Sequence, residues 1–507
     1  MKYLDKIRKK GNLSYTPINN IAKHQMKNKL VFLCILFPVS LFGQEIDNTE
    51  PKLYDPNELI LDFNELFRNL EEIHPNLYFY VSKDIIDSLR LEAEKKFSQP
   101  MTALGFWKVA APIVVRVKDG HTALPFPWGE WKQFMENGGK LFPFEVKADS
   151  LSLVVTKNNS TDSLIVPQTE ILAINGIPVL DILNKMRQYH NGERLSFVNL
   201  KTSRYFKFYL WALFGFDGIF DVEFKNPSGE VYSKSVDGID KVQYDLIRKQ
   251  RKPRKPDYSF YKTSYANIGV IDFRRMNNNG EFRKFTDSVF TVIENDNISA
   301  LIIDVRKNGG GNSQLVDVLL SHFNTKPYTQ AERMDLKVSS QSRKAFRKRY
   351  FKWYIYPLYP VTLFYKRSRQ LLFGKKGKLV SITNEPEAHK VSEPFFKGPV
   401  YLLTSPNTFS SANILADVFK CYEMGTIIGE ETGGLTIAFG DLIFYTLENT
   451  GLRGNCSFKQ FFHPCGKADN HGVIPDIEVI QKPKDTEKGI DTVLEYTIDY
   501  IIGMEEN

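Results

Sequence analysis

The sequence predicts a multi-domain α/β protein, because its 507 residues fall into three regions of different pattern. Apolar residues recur at helical spacing over 45–135, whereas short runs over 136–250 are typical of strands. Over 251–507, apolar strands alternate with helices, which is the pattern of a largely parallel sheet. We therefore expect an N-terminal helical region, a β-rich domain and an α/β core, in that order.

The helical region opens with a helix predicted from Asp55 to His74, where apolar residues share one face and Pro75 ends the pattern. Two further helices are expected between Ile85 and Val117. The region ends in a polar turn, Asp119-Gly120-His121-Thr122.

In the β-rich region, strands are expected at 142–146 and 152–155, and at 170–174 before an Asn175-Gly176 turn. A hairpin with strands over 219–224 and 231–236 is expected to close this region. The basic run 248–256 that follows is predicted to be a solvated linker to the core.

The α/β core begins with a strand predicted at Ile268–Phe273 and followed by a helix. The next strand, Ala300–Val305, is almost continuously apolar, as in a strand that is buried on both faces. Further strands are predicted at Pro399–Thr404 and Thr426–Gly429.

Residues 325–395 interrupt this alternation as an insertion in the core. Its segment 343–378 holds 12 Lys or Arg and no Asp or Glu, with aromatic residues between the charges. Such a segment could cover the active site, pack on the sheet or contact a membrane surface, and binding of RNA is a further alternative. Outside this segment and the first 44 residues the chain is acidic, so we expect no nucleic-acid partner.

The first 44 residues are typical of a targeting segment. Met26 to Lys29 is basic, Leu30 to Phe42 is apolar, and Gly43-Gln44 offers a small residue for cleavage. The pattern predicts a signal peptide over 1–44, with 1–25 as an upstream extension. We therefore expect a secreted or periplasmic protein, and an apolar run retained as a membrane anchor is the alternative.

Three polar turns follow strands of the core and carry residues suited to catalysis. Asn308 to Gly311 could direct main-chain N–H groups at an anion, as an oxyanion hole requires. Thr408 to Asn413 places Ser410 between a strand and a helix, as nucleophilic hydrolases do, although Ser410 alone could be an ordinary helix N-cap. The third turn, Gly429 to Gly434, is expected at the same edge.

A reactive serine needs a base, and the chain has eight histidines. His121 lies in a polar turn shortly after an apolar run, which makes it a candidate. Asp469 and Asp119 are the candidates for an acid that orients it.

The cysteines suggest a disulfide and no metal site. Cys456 and Cys465 could close a loop in an oxidising compartment. Since no Cys or His spacing is that of a zinc site, we expect neither a metal nor a cofactor.

Five blocks in a fixed order resemble the C-terminal processing peptidase (tail-specific protease) family, in its histidine-using, tricorn-core-like branch. The blocks are 119–122, 304–311, 408–413, 429–434 and 472–476. The resemblance implies a ClpP/crotonase-like α/β core. For 136–250 it implies a PDZ-like domain that would bind the C-termini of polypeptide substrates.

The same resemblance implies the role of each site residue. Ser410 is similar to the nucleophile, His121 to the general base, and Asp469 to the acid that orients the histidine. Gly310 or Gly311 and the amide of Ser411 would form the oxyanion hole. The implied activity is that of a serine endopeptidase working by acyl transfer.

Four positions differ from members of the family. Leu435 stands where the other branch has its catalytic lysine, which argues against a serine–lysine mechanism. Asn413 and Asp469 stand where the family has glutamate, and Ser411 where it has alanine. These differences leave open an inactive member that binds a peptide or a small lipid.

Overall fold

A computed structural model describes residues 50–264, 267–350, 366–464 and 470–505. The predicted signal peptide, Cys465 and Asp469 lie outside the described residues. Within the described ranges, no helix combines the length and the apolar character that crossing a membrane would need.

The helices, including those of one or two turns, are α1 Pro56–Ile73, α2 Lys83–Glu94, α3 Ala103–Val115, α4 Trp128–Glu136, α5 Val179–Arg187, α6 Leu195–Phe214, α7 Lys241–Gln250, α8 Asn279–Asn295, α9 Gln314–Leu320, α10 Ser340–Tyr350, α11 Lys366–Phe373, α12 Ser411–Cys421, α13 Pro483–Glu487 and α14 Thr492–Glu505.

The strands are β1 Phe144–Ala148, β2 Leu153–Asn158, β3 Glu170–Ile174, β4 Ile177–Pro178, β5 Ile219–Lys225, β6 Val231–Asp237, β7 Tyr258–Lys262, β8 Ile268–Phe273, β9 Ala300–Asp304, β10 Arg333–Lys337, β11 Leu379–Thr383, β12 Val400–Thr404, β13 Thr426–Gly429, β14 Ile437–Thr446, β15 Arg453–Phe462 and β16 Ile477–Glu478.

The N-terminal region is helical, as predicted. Asp55 and Glu58 form a reciprocal capping box that starts α1, and the helix ends at Ile73 before His74. Its apolar face is fully buried, with Phe63 packing edge-on against Phe67. The two helices expected between residues 85 and 117 are α2 and α3.

The β-rich region forms one sheet in the order β1-β2-β3-β5-β6, with β4 paired to β3. Its pairings are antiparallel, and β5 and β6 form the expected closing hairpin. Asn175 and Gly176 both have positive φ, at 49° and 75°, as a tight turn between β3 and β4 requires. The boundaries predicted for this domain, and its PDZ-like character, stay predictions.

Helix α7 enters the segment that was predicted to be a solvated linker. Asp240 and Gln243 form a capping box that starts the helix, which then continues to Gln250. Residues 248–250 are therefore helical, while 252–256 follow as an exposed, irregular segment. The basic composition hid the capping signal that lies upstream of it.

The core is the expected α/β layer, a sheet in the order β16-β13-β12-β9-β8-β7. All pairs are parallel except β7 with β8. Strands β8 and β12 are buried along their whole length. Helices α8, α9 and α12 cover one face and α14 covers the other, so the fold class predicted from the sequence is confirmed.

A second sheet, in the order β11-β10-β15-β14, stands beside the core. Strands β10 and β11 come from the insertion 325–395, and β10 pairs with β15 over Arg333–Leu336. The described part of the insertion is thus built into a sheet. Strand β14 lies at the edge of this sheet, where β15 is its partner among the described strands.

The predicted pairing of Cys456 with Cys465 is wrong. Cys456 is a free thiol, fully buried on β15, and burial raises its pKa. Cys421, at the end of α12, is instead disulfide-bonded. Cys456 and Cys465 are close in sequence, but the side chain of Cys456 belongs to the buried core, so closeness in sequence did not predict a bond.

Asp62 connects the helical region to the second sheet. Its Oδ1 accepts hydrogen bonds from the Asn449 amide and side chain at 2.9 and 2.8 Å, and its Oδ2 accepts from the Thr450 amide at 2.7 Å. We expect Asp62→Ala to lower the free energy of unfolding by about 2–4 kcal/mol, because it leaves buried N–H donors without an acceptor. Chemical denaturation of the purified variant measures this loss.

Asp87→Ala is the matched control, since Asp87 pairs with Lys83 on the surface, where the side chains are 38% and 55% exposed. We expect this control to lower the free energy of unfolding by less than about 1 kcal/mol. Equal losses in both variants would contradict the role assigned to Asp62.

Candidate active site

Three turns meet at the carboxyl ends of β9, β12 and β13. The amide of Phe409 donates to the Asn308 carbonyl at 3.1 Å, which joins the first turn to the second. The amide of Gly433 donates to the Thr408 carbonyl at 3.0 Å, which joins the second turn to the third. Because parallel strands end at a common edge, the order of the strands alone brings these turns together.

Ser410 has the backbone of a nucleophile turn. Its φ of 56° and ψ of −128° lie outside the regions that L-residues prefer, at a cost on the order of 1–3 kcal/mol. Helix α12 begins at the next residue, yet the Ser410 side chain makes no capping hydrogen bond. The N-cap alternative is therefore wrong for its hydroxyl, and the strained turn presents that hydroxyl to the cleft.

The base candidate lies within hydrogen-bond distance of this serine. His121 Nε2 is 3.0 Å from Ser410 Oγ, although 289 positions separate the two residues in sequence. The His121 ring stacks on Phe409, with ring centroids 4.7 Å apart, and Phe409 stacks on Phe197 at 4.2 Å. This three-ring stack fixes the plane of the imidazole beside the serine.

The turn that carries His121 is held by the segment leading into α6. The Gly120 amide donates to Glu193 at 3.0 Å, and the Asn191 side chain donates to the Gly120 carbonyl at 2.6 Å. Lys201 donates to the Asn191 carbonyl and side chain at 2.6 and 2.8 Å. A β-carbon at position 120 would lie 2.5 Å from the Phe409 ring, so only glycine fits there.

Of the two candidate acids, Asp119 lies within the described residues and is close to the imidazole. It is buried, accepts the His121 amide at 2.8 Å, and lies 3.8 Å from His121 Nδ1. His74 Nε2 approaches the other carboxylate oxygen at 3.4 Å. Because His74 Nδ1 accepts the Asn76 amide at 3.1 Å, a neutral His74 carries its proton on Nε2, the nitrogen that lies nearest Asp119.

These charges act on one another in a buried environment. Burial alone would raise the pKa of Asp119, but His74 and His121 outweigh it and hold that pKa below its ordinary range. Burial lowers the pKa of His121, and Lys201 lowers it further, whereas Asp119 raises it. Burial and Asp119 raise the pKa of Glu193 to about 7, and burial lowers that of Lys201 to about 8.

The third residue predicted for the site, Asp469, lies outside the described residues, so its role stays a prediction. Nearby, Glu431 of the third turn forms an ion pair with Arg194 and accepts the Gly472 amide at 2.7 Å. His471 Nδ1 lies 3.7 Å from the same carboxylate. Gly472 and His471, which follow Asp469 in sequence, thus lie against Glu431 of the third turn.

The amides predicted to form an oxyanion hole differ in availability. The Gly310 amide already donates to Asn308 Oδ1 at 2.9 Å. Within the described chain, the amides of Gly311 and Ser411 donate to no protein acceptor. Ser411 is the first residue of α12, where a free N–H also carries the positive end of the helix dipole.

Two departures from the family pattern have structural explanations. The Ser411 hydroxyl donates to the Gly311 carbonyl at 2.8 Å, so of the two serines it is Ser410 that faces His121. Asn413 is buried, accepts the Thr432 hydroxyl and donates to the Leu435 carbonyl at 2.9 Å. Both residues fasten the turns to each other.

A cleft of about 790 Å³ opens at the serine. It is lined by His121, Ser410 and Gly309–Gly311 on one side, and by Ala438–Leu442 of β14 on the other. Lys459 also lines it and forms an ion pair with Asp441. The cleft has the size and mixed polarity of a site for an extended ligand.

Sequence reasoning missed His74, Glu193, Lys201 and the strand β14. His74 follows the end of α1 and looks like a helix terminus, and Glu193 and Lys201 belong to a region with no catalytic motif. Only the fold brings them to His121. Gly440 was the local signal of an irregular strand: next to it, Asp441 has a φ of 53° and falls out of the pairing with β15.

Comparison with known proteins supports the family that the five blocks predict. Residues 267–479 match Peptidase family S41. Over 140 residues the chain is 32% identical to a "Putative Tricorn-like protease C-terminal subunit" of Sulfurisphaera tokodaii, which covers 27% of this chain and 16% of that protein. The chain thus spans well under two thirds of that relative.

Two solved structures share the fold. Mature CPAF superposes with a TM-score of 0.61 at 15% identity, covering 88% of this chain and 97% of its own. Mature CPAF complexed with lactacystin superposes with a TM-score of 0.59 at 14% identity, covering 88% of this chain and 98% of its own. At this identity the likeness concerns the fold, and the fold extends over nearly all the described residues.

The pH dependence of activity tests the electrostatics of His121. Neutral imidazole must accept the serine proton, so kcat/KM should fall as pH drops through a His121 pKa that lies below the ordinary 6.5. Asp119→Asn should move this limb to lower pH, because Asp119 raises that pKa, and Lys201→Gln should move it to higher pH. Peptide hydrolysis measured from pH 4 to 9 follows both shifts.

Lys83→Gln, on the exposed surface of α2, is the control and should leave the limb in place. Shifts of the same sign in Asp119→Asn and Lys201→Gln would contradict the assignment of His121 as the titrating group.

A second prediction concerns Gly310. A β-carbon there would lie 2.7 Å from Ser410 Cβ and 2.8 Å from the Phe409 carbonyl oxygen, at a φ of 93°. We expect Gly310→Ala to displace the nucleophile turn and reduce kcat/KM at least about 100-fold while the chain still folds. Gly503→Ala, in α14 with open space around the position, is the control and should keep full activity.

Proposed function

We propose that this chain, which carries a peptidase family S41 domain over residues 267–479, is a secreted or periplasmic serine endopeptidase with His121 as the base for Ser410. The observation that carries the proposal is the 3.0 Å contact between His121 Nε2 and the hydroxyl of a strained Ser410. A structural serine needs neither the strain nor the partner.

The reaction follows from this geometry as acyl transfer. Ser410 Oγ attacks the peptide carbonyl while His121 Nε2 takes its proton, and the oxyanion forms against the amides of Gly311 and Ser411. His121 then returns the proton to the leaving amine. Water, deprotonated by the same imidazole, releases the acyl group from Ser410.

Asp119 supports the charge that His121 acquires in this cycle. Its carboxylate lies 3.8 Å from Nδ1, and His74, 3.4 Å away on the other side, helps to hold the pKa of Asp119 below its ordinary range. Asp469 remains the residue that the family pattern proposes for direct contact with Nδ1. Within the described chain Nδ1 makes no hydrogen bond of good geometry, although the Phe439 carbonyl is near enough to raise the pKa of His121.

The β-rich domain suggests how a polypeptide is recruited. We propose, from the family resemblance, that it is PDZ-like and binds substrate C-termini by adding a strand to a sheet edge. The basic segment 343–378 is proposed to contact an anionic membrane surface. Part of this segment, 351–365, lies outside the described residues.

A fluorophosphonate probe tests the proposed nucleophile directly. We expect the purified wild-type protein to be labelled covalently, Ser410→Ala to lose the label, and His121→Ala to label at least about 100-fold more slowly. Mass spectrometry of the labelled peptide identifies the residue.

Ser411→Ala is the matched control, because the neighbouring serine donates its hydroxyl to Gly311 and should not be needed for labelling. Loss of the label in Ser411→Ala alone would contradict the assignment. A folded wild-type protein that takes no label would favour the second candidate function, a binding protein. The departures at Asn413 and Asp469 motivate that candidate.

A further inference from the structure

Strand β14 connects the catalytic cleft to a second cavity. As the edge strand of its sheet, it lines the cleft with Ala438–Leu442 and continues to Phe444. The Phe444 ring is 61% exposed and lines both the cleft and a cavity of about 670 Å³ beyond it. The two spaces therefore share one wall.

The second cavity is made from three parts of the chain. Segment 125–130, which follows the His121 turn, gives Phe126 and Trp128, and the β14–β15 hairpin gives Phe444 and Leu452. The N-terminal segment adds Tyr54. Four aromatic residues and three prolines are among the 18 residues that line the cavity, beside the charged Lys52, Glu130 and Arg453. The aromatic part of the wall suits a bulky apolar group.

Trp128 is the most exposed aromatic side chain of the segment that follows His121. It is 43% exposed, while its ring packs edge-on against Phe126 at 4.9 Å and Phe208 at 5.1 Å. A tryptophan that is supported on one side and open on the other presents a rigid apolar surface at little entropic cost. Trp128 and Phe444 are thus two exposed apolar side chains around one cavity, and exposed apolar surface of this kind often marks a binding site.

The floor of the cavity is attached to the catalytic histidine. Asn455, which lines the cavity, donates from its side chain to the His121 carbonyl. Its backbone pairs with Ala123 through hydrogen bonds of 2.9 and 3.0 Å. The position of the cavity relative to Ser410 is therefore fixed by the same strand that holds the His121 turn.

We propose that this cavity is a distal substrate subsite that binds a bulky apolar or aromatic side chain of the polypeptide being cleaved. The inference rests on the proposed peptidase function. Among the described strands, β14 pairs with β15 alone, and a substrate strand laid along its other edge would run from the cleft to the cavity. Gly440 and Ser410 both line the cleft, and Phe444 lies four steps beyond Gly440 along β14, or roughly 13 Å in an extended strand. Taking Gly440 as the position beside the scissile bond, the proposal puts the bound side chain about four residues from that bond.

A series of quenched fluorescent peptides tests this proposal with the full-length protein. Each peptide has about fourteen residues around one fixed cleaved sequence, and a single tryptophan moves through the flanks one position at a time. We expect kcat/KM to peak, through KM, when the tryptophan lies about four residues from the cleaved bond on one side only. In Trp128→Ala this peak should drop about tenfold towards the level of tryptophan-free peptides.

Tyr496→Ala is the matched control, because Tyr496 is an aromatic residue of α14 that is 42% exposed and lines neither cavity. It should keep the peak. A flat response to tryptophan position, or a peak that Trp128→Ala leaves unchanged, would overturn the subsite while leaving the peptidase function intact.

Binding to the Ser410→Ala protein separates the subsite from catalysis. Fluorescence anisotropy of the labelled peak peptide should show a dissociation constant about tenfold higher when Trp128→Ala is added to this variant. If the wild type cleaves no peptide, the same series is tested for binding to Ser410→Ala, and binding that depends on tryptophan position and on Trp128 would show that the proposed function fails while the cavity still binds an aromatic side chain of a peptide. Equal affinities in the two proteins would overturn the subsite.

Discussion

The rest of the site depends on one contact between two distant parts of the chain, His121 Nε2 against Ser410 Oγ at 3.0 Å. The serine is placed by the edge of a parallel sheet, and the histidine by a turn beyond a helical region. The elements that place the serine and the histidine are separate. The stack of His121, Phe409 and Phe197 joins them, so ring packing and hydrogen bonding together set the distance.

Buried ionisable side chains surround that contact. Asp119 is buried next to the imidazole, His74 lies behind it, and Glu193 and Lys201 hold the turn from the side of α6. Burying so many ionisable groups is costly unless each has a partner, and most of them here are paired through the backbone of a single turn. The electrostatics of His121 and the geometry of its turn therefore cannot be changed independently.

The parts of this site that are local could be predicted from the sequence. Ser410, His121 and the three turns each follow a strand or an apolar run, and the order of the five blocks is specific enough to indicate the family. Cys456 shows the limit of such reasoning, because pairing depends on which face of a strand a side chain occupies. His74, Glu193 and Lys201 could not be predicted, since their relation to His121 exists only after three regions pack together.

The 289 positions between His121 and Ser410 have a consequence for the newly made chain. A contact of such long sequence separation requires that both the turn carrying His121 and the core strands that place Ser410 have formed. A chain that has folded only its N-terminal half holds His121 but lacks Ser410. The proposed activity would thus arise only once both halves of the chain have folded.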